Sequence, residues 1–166
     1  FNSLNTLNSL IRETPGKAQD YLQELSKVLR YSLQESDSHR VTLEEEMNFV
    51  RSYMYLLQMR FEENLVFEVE VAPEALSKTL PPVSVQLLVE NAVKHNEISN
   101  RHPLHIRIRA DQDSLSVSNP IQPKLTASSG THIGLSNLSK RYQLLFGREI
   151  EVKEEKNHFI VILPLI

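Results

Sequence analysis

Cysteine is absent from the 166 residues, which excludes a disulfide framework and any thiolate site. That is compatible with a reducing compartment. Also missing is any run of the roughly 18 apolar residues from which a transmembrane helix is built, so the chain as given is not expected to span a membrane. A basic excess is lacking too. Eighteen Lys and Arg against 21 Asp and Glu leave a formal charge of −3, without the electrostatic footprint of a nucleic-acid binder. There is no initiator Met, and the chain starts in mid-pattern at Phe1-Asn2-Ser3-Leu4-Asn5, so it reads as a piece of something longer. What is present is a hydrophobic fraction of 40%. That supports a real core in either one domain or a helical arm plus a compact domain of about 100 residues.

The most informative stretch runs from Pro81 to Asn96. Two prolines suit the start of a helix, where a missing N–H costs nothing. After them Val85, Leu88, Val89 and Ala92 recur at i, i+3, i+4, i+7, the spacing of a helix that buries one stripe. Asn91, Lys94 and His95 fall at i, i+3, i+4 and share a different face. An amide, an ammonium and an imidazole on one wall of a buried helix are costly unless something polar covers them. A phosphate chain with a divalent cation fits, the amide oxygen ligating the metal and the lysine meeting phosphate charge. A partly solvated polar face explains the same spacing.

Around this segment the chain divides. Residues 1–12 predict a helix with Leu4, Leu7 and Ile11 on one side, broken at Pro15-Gly16, and Lys17 to Gln34 predicts a second with Ala18, Leu22, Leu25 and Leu29 aligned. Thr42-Leu43-Glu44-Glu45 is a capping-box pattern. The helix it opens carries Leu43, Met47, Val50, Met54, Leu57 and Phe61 in alternating steps of four and three, a heptad seam suited to self-association; an ordinary amphipathic pair accounts for it equally. Helical signals stop near Glu63-Asn64, where a domain boundary is expected. Alternation then predicts strands at Leu65–Val71, Leu104–Ala110 and from Leu115, and a terminal hairpin at 149–163. Asn119 keeps the phase of Leu115 and Val117, so it should face the covered side of the sheet and need a partner there. Residues 120–129 read as a loop, and Gly130 to Leu138 opens a helix that Gly147 ends. A glycine-containing loop running into a helix start is a ready anion site.

Gln86 to His95 resembles the N box of the sensor histidine kinases, in the variant Q-x-L-V-E-N-A-x-K-H of the LytS-related family. Phe1-Asn2-Ser3-Leu4-Asn5 resembles the tail of that family's phosphoacceptor motif, and Leu29–Leu33, Val41–Glu46, Tyr53, Leu56 and Arg60-Phe61 resemble its dimerisation and linker helices. Gly130–Leu135 with Asn137, Arg141 and Gly147 is similar to the glycine box that grips phosphates. The resemblance implies an α+β chain: a helical dimerisation segment at residues 1–62, truncated at its start, then at 63–166 a GHKL-type α/β sandwich with a mixed sheet covered on one face by helices. It implies ATP-dependent phosphorylation of a histidine, relayed to a response regulator, in the cytoplasmic portion of an inner-membrane sensor that is a homodimer through its N-terminal helices.

Carried onto this sequence, Asn91 holds Mg²⁺, and Lys94, His95, Gly130 and the backbone at Gly134-Leu135 contact the phosphates of ATP. Asn119 reads adenine and Arg141 supports the phosphate end. Glu90 either polarises the attacking imidazole or stands behind the metal-binding Asn, and both roles stay open. Three departures stand out. The family pattern places the acceptor histidine three residues before Phe1, and none of the six histidines here occupies that place. Asn119 replaces the adenine-binding Asp, and Pro120-Ile121-Gln122-Pro123 lacks both expected glycines. His132 replaces the middle glycine of the phosphate box. A nucleotide-binding regulatory module without kinase output, and a purely structural dimerisation unit, are the rival readings.

Overall fold

The computed structural model describes residues 2–34, 37–126 and 133–166. Two helices, α1 (Asn2–Glu13) and α2 (Pro15–Gln34), form a hairpin turned at Thr14-Pro15-Gly16. Strand β1 (Val41–Thr42) leads into α3 (Leu43–Phe61), which packs along α2. The start of α3 is fixed as its sequence requires: the Thr42 hydroxyl accepts from the Glu45 backbone N–H, and the Glu45 carboxylate accepts from the Thr42 N–H at 2.8 Å.

A 3₁₀ turn at Glu62–Asn64 leads to the sheet strands β2 (Leu65–Val71), β4 (Leu104–Ala110), β5 (Ser114–Pro120), β6 (Glu151–Glu155) and β7 (His158–Pro164). Among the described residues their order is β2-β4-β5-β7-β6, with β2 and β4 parallel and the other neighbours antiparallel. The expected mixed sheet is therefore present. Every second residue of β4 and β5 is buried, including Ile106, Ile108, Leu115 and Val117, and α4 (Ser84–His95) and α5 (Ile133–Phe146) lie against this side. The opposite face is polar, with Arg107 on Glu68 and Arg109 on Glu70 at 3.0 and 3.2 Å. The predicted terminal hairpin turns at Lys156-Asn157, both at positive φ.

One expectation is corrected. Met47, Val50, Met54 and Leu57, read as a seam for self-association, are buried in the chain's own core, in one cluster with Leu65, Val85, Leu104 and Leu163. The heptad spacing arises because α3 is sandwiched between α2 and the sandwich, not because it meets a second copy. A further link was invisible to periodicity. The short strand β3 (Thr79–Leu80) pairs with β1, and Thr79 exchanges backbone hydrogen bonds with Ile166. The apolar side chains left exposed on the first two helices are Leu4 and Ile11 of α1 and Leu22, Leu29 and Leu33 of α2.

Candidate functional site

Helix α4 is the wall of the site. Its prolines precede it, and Val83 at the N-cap takes a left-handed conformation with φ 66°. Val85, Leu88, Val89 and Ala92 are buried, while Asn91 is half-buried and Glu90, Lys94 and His95 are exposed. The predicted separation of stripes is thus realised.

Asn91, the first member of the polar stripe, meets the first turn of α5. A Cβ placed on Gly134 would stand 3.2 Å from Leu87 Cδ1 and 3.8 Å from Asn91 Oδ1. A side chain at Gly134 would crowd the end of Leu87, so glycine eases this close approach of the two helices. Gly134, followed in the chain by Leu135, therefore lies beside the Asn91 amide, in a turn whose backbone N–H groups have no partner within the helix. The arrangement can hold an anion on the α5 start and a cation on Asn91 Oδ1. Among the described residues no three His, Asp or Glu side chains cluster to cage a metal. A divalent ion there would draw its remaining ligands from phosphate and water, as Mg²⁺ commonly does.

Glu90 points elsewhere. With Lys94, Val93 and Glu97 it lines a cavity of about 600 Å³, closed on the other side by Tyr53, Leu57, Arg60 and Phe61 of α3 and by Asn2 and Ser3 of α1. Burial pushes the Tyr53 hydroxyl well above its ordinary value, the Glu90 charge adds to this, and Arg60 opposes it. Adjacent residues of one helix thus serve two different spaces, Asn91 the α5 side and Glu90 the helical-arm side.

Asn119 is buried on the covered face of β5, as its phase predicts, and its amide nitrogen donates to the Pro120 carbonyl at 2.8 Å. The glycine-free segment after it is clamped to the end of α4. The Gln122 N–H donates to Asn96 Oδ1 at 2.9 Å, and Gln122 Nε2 donates to the Glu97 and His102 carbonyls. Buried Asn96 in turn donates to the Ala92 carbonyl at 2.8 Å. Arg141 is not brought to the Lys94 end of α4. Its guanidinium donates to the Pro82 carbonyl, at the start of that helix, at 3.0 Å. Gly130 and His132 lie outside the described residues.

Against known proteins, the chain is 32% identical over 172 aligned positions, 93% of its length, to the sensor histidine kinase/phosphatase LytS of Staphylococcus aureus, strains MRSA252 and NCTC 8325 among others. The chain belongs to the LytS-like sensor histidine kinase family. It spans 30% of the length of these LytS relatives. The family model described as Histidine kinase matches residues 1–65. Solved structures share the fold. The histidine kinase domain of the Erythrobacter litoralis EL346 blue-light activated kinase has a TM-score of 0.57 at 16% identity, over 95% of this chain and 84% of that one. The cytoplasmic segment of histidine kinase QseC gives 0.56 at 14% identity over 79% of each chain. The catalytic domain of histidine kinase ThkA gives 0.55 at 19% identity, over 76% of this chain and 93% of that one.

Two features of this LytS-like chain escaped sequence reasoning. The Asn96–Gln122 clamp joins side chains to backbone groups distant in sequence and leaves no local pattern. Glu46 is the second. It is fully buried, although it reads as the third member of a solvated Glu44-Glu45-Glu46 run. A signal did exist, since Glu46 sits three residues after Leu43 and four before Val50, on the apolar stripe of α3.

Proposed function

We propose that this chain is the catalytic part of a two-component sensor histidine kinase, residues 1–62 supplying the dimerisation helices and residues 63–166 the ATP-binding unit. ATP with Mg²⁺ is bound between α4, the end of β5 at Asn119 and the start of α5 at Gly134-Leu135. The observation that carries this reading is the contact of Asn91 with the glycine start of α5, which joins a cation ligand and an anion cradle across one narrow gap. Asn91 would hold the metal, which supplies charge neutralisation for the phosphates. The amides at Gly134-Leu135 bind the phosphates beside Asn91, Lys94 reaches them from the side of the Glu90 cavity and His95 from the last turn of α4, and the Asn119 amide oxygen accepts from the adenine amino group. Arg141 supports the site from the start of α4.

In the reaction a histidine imidazole nitrogen bonds to the γ-phosphorus, the bond to the bridging oxygen of the leaving ADP breaks, and the imidazole proton is taken up. Glu90 is the acceptor of that proton. Its position supports this role over one behind the metal, because it opens into the cavity bordered by the first turn of α1 and not toward Gly134. The catalytic power lies in positioning and charge stabilisation. The phosphoryl group then passes to a response regulator, and the whole protein is a membrane sensor whose cytoplasmic portion includes this chain. The exposed stripe of Leu22, Leu29 and Leu33, with Leu4 and Ile11, is the surface through which the homodimer forms.

The test is calorimetry with and without magnesium. Asn91→Ala is expected to lower Mg²⁺-ATP affinity by about 10- to 100-fold, with little change in EDTA. Equal affinity of the unaltered chain in both conditions would remove Asn91 from the metal. A second reading, a nucleotide-binding module without phosphotransfer, is favoured by the clamped, glycine-free segment Pro120–Pro123. ATP binding with no acid-labile label on a supplied protein that carries the acceptor helix would select it.

A further inference from the structure

Glu46 takes no part in the chemistry above, yet among the described residues it is the one charged side chain that is fully buried. Its carboxylate, projecting from α3, receives the start of α4. Oε2 accepts from the Val83 N–H at 2.9 Å and from the Tyr31 hydroxyl of α2 at 2.9 Å, Oε1 accepts from the Val85 N–H at 3.1 Å, and the Gln86 N–H is also directed at it. The backbone donors are the orphan amides of a helix start, and the positive end of α4 faces the negative charge. A helix ordinarily meets this need with its own N-cap side chain. Here the N-cap is Val83, which has no oxygen to offer and holds a backbone conformation that a β-branched residue rarely takes. The helix is therefore capped from another element, and the strained residue is pinned by the same carboxylate.

The hold is mechanically continuous. Tyr31 stacks on Phe49 of α3 with ring centroids 4.1 Å apart, so the acceptor for α4 is locked to both helices of the arm. On the other flank Arg141 of α5 ties the Pro82 carbonyl. Burial pushes the Glu46 carboxyl above its ordinary value, and the hydrogen bonds from Val83, Tyr31, Val85 and Gln86 resist that push. A buried charge of this kind is a poor device for stability, since an apolar side chain of similar volume commonly does as well or better. Its return is in geometry.

We propose that Glu46, held by Tyr31, is a positioning residue for the nucleotide site: it sets the axial placement and rotation of α4, and it passes displacements of α2 and α3 to Asn91 and Glu90. The transmission is direct, because α4 is 12 residues of unbroken helix and its Asn91 packs beside Gly134 of α5. As a statement about ATP it rests on the proposed function. As a statement about α4 it does not.

The experiment compares Tyr31→Phe and Glu46→Gln with Val50→Ala, a core change in α3 that removes none of the hydrogen bonds to the carboxylate. Backbone amide resonances of Ser84–His95 and Mg²⁺-ATP affinity are measured on the whole chain. Tyr31→Phe keeps the ring and folds, so it carries the test even if Glu46→Gln does not fold. Tyr31→Phe is expected to shift the Asn91 amide resonance and to weaken Mg²⁺-ATP binding by about three- to thirtyfold, while Val50→Ala lowers thermal stability and leaves both unchanged. If Tyr31→Phe moves neither the Asn91 resonance nor the affinity beyond what Val50→Ala does, the proposal is overturned. If the unaltered chain binds no ATP, it is the functional reading that fails. The resonances alone then decide whether Glu46 governs α4.

Discussion

In the proposed function, Asn119 is the place where one atom redirects the site. A carboxylate at this position would accept strongly from an adenine amino group, whereas the amide accepts more weakly and spends its donor on the Pro120 carbonyl. Asn119→Asp removes that donor and sets a buried carboxylate beside the Pro120 carbonyl, so it is expected to cost about 3 kcal/mol of stability or more, while discrimination of ATP over GTP rises. Competition binding of the two nucleotides checks this, and an unchanged ratio would place Asn119 away from the base. Tyr142 gives a second test. It is buried and donates to the Pro164 carbonyl, and burial foremost, with the Glu46 charge adding, raises its hydroxyl well above the ordinary value. The folded chain then keeps a proton that the unfolded chain releases above about pH 10. Stability contributed by Tyr142 is full below that pH and falls as pH rises beyond it. Urea midpoints between pH 8 and 11 should decline less steeply in Tyr142→Phe.

At the level of elements, local chemistry was legible wherever one residue type forces one conformation. The capping box at Thr42 and Glu45, the stop at Gly147 and the alternation of β4 could all be read directly. Thr42→Ala is expected to cost about 1 kcal/mol, a fall in Tm of about 2–4 °C for a chain of this size, measurable by thermal denaturation. The site was legible in part. Asn91 and the α5 start announce themselves by spacing and by glycine, but the contact between them is tertiary and needs the gap at Leu87 to be seen. Glu46 and the Asn96–Gln122 clamp were hidden because period counts treat every glutamate and amide as surface, and a cap supplied from another element leaves no local signature. The α3 seam misled for a related reason: a stripe of alternating four and three spacing says that a helix is covered along its length, and is silent on what covers it.

For the whole molecule this distinction becomes an experiment. If the exposed leucines of α2 form the dimer, Leu29→Asp should convert dimer to monomer with little loss of fold, whereas Leu57→Asp buries an unpaired charge and should unfold the chain, at a cost of about 4 kcal/mol or more. Sedimentation velocity read beside circular dichroism separates the two. A folded, still dimeric Leu29→Asp would exclude the α2 stripe from the interface. The continuous core also bears on how the chain comes apart. Helix α3 lies in one apolar cluster with the sheet, β1 is paired with β3, and the last residue is bonded to Thr79. The arm and the sheet therefore share their most protected backbone amides, and slow hydrogen exchange should report a single unfolding unit in which α3 and the central strands open together. A pull that loosens the arm therefore loosens the sheet with it: in the proposed kinase, the arm and the surface that would hold ATP are two ends of one cooperative body.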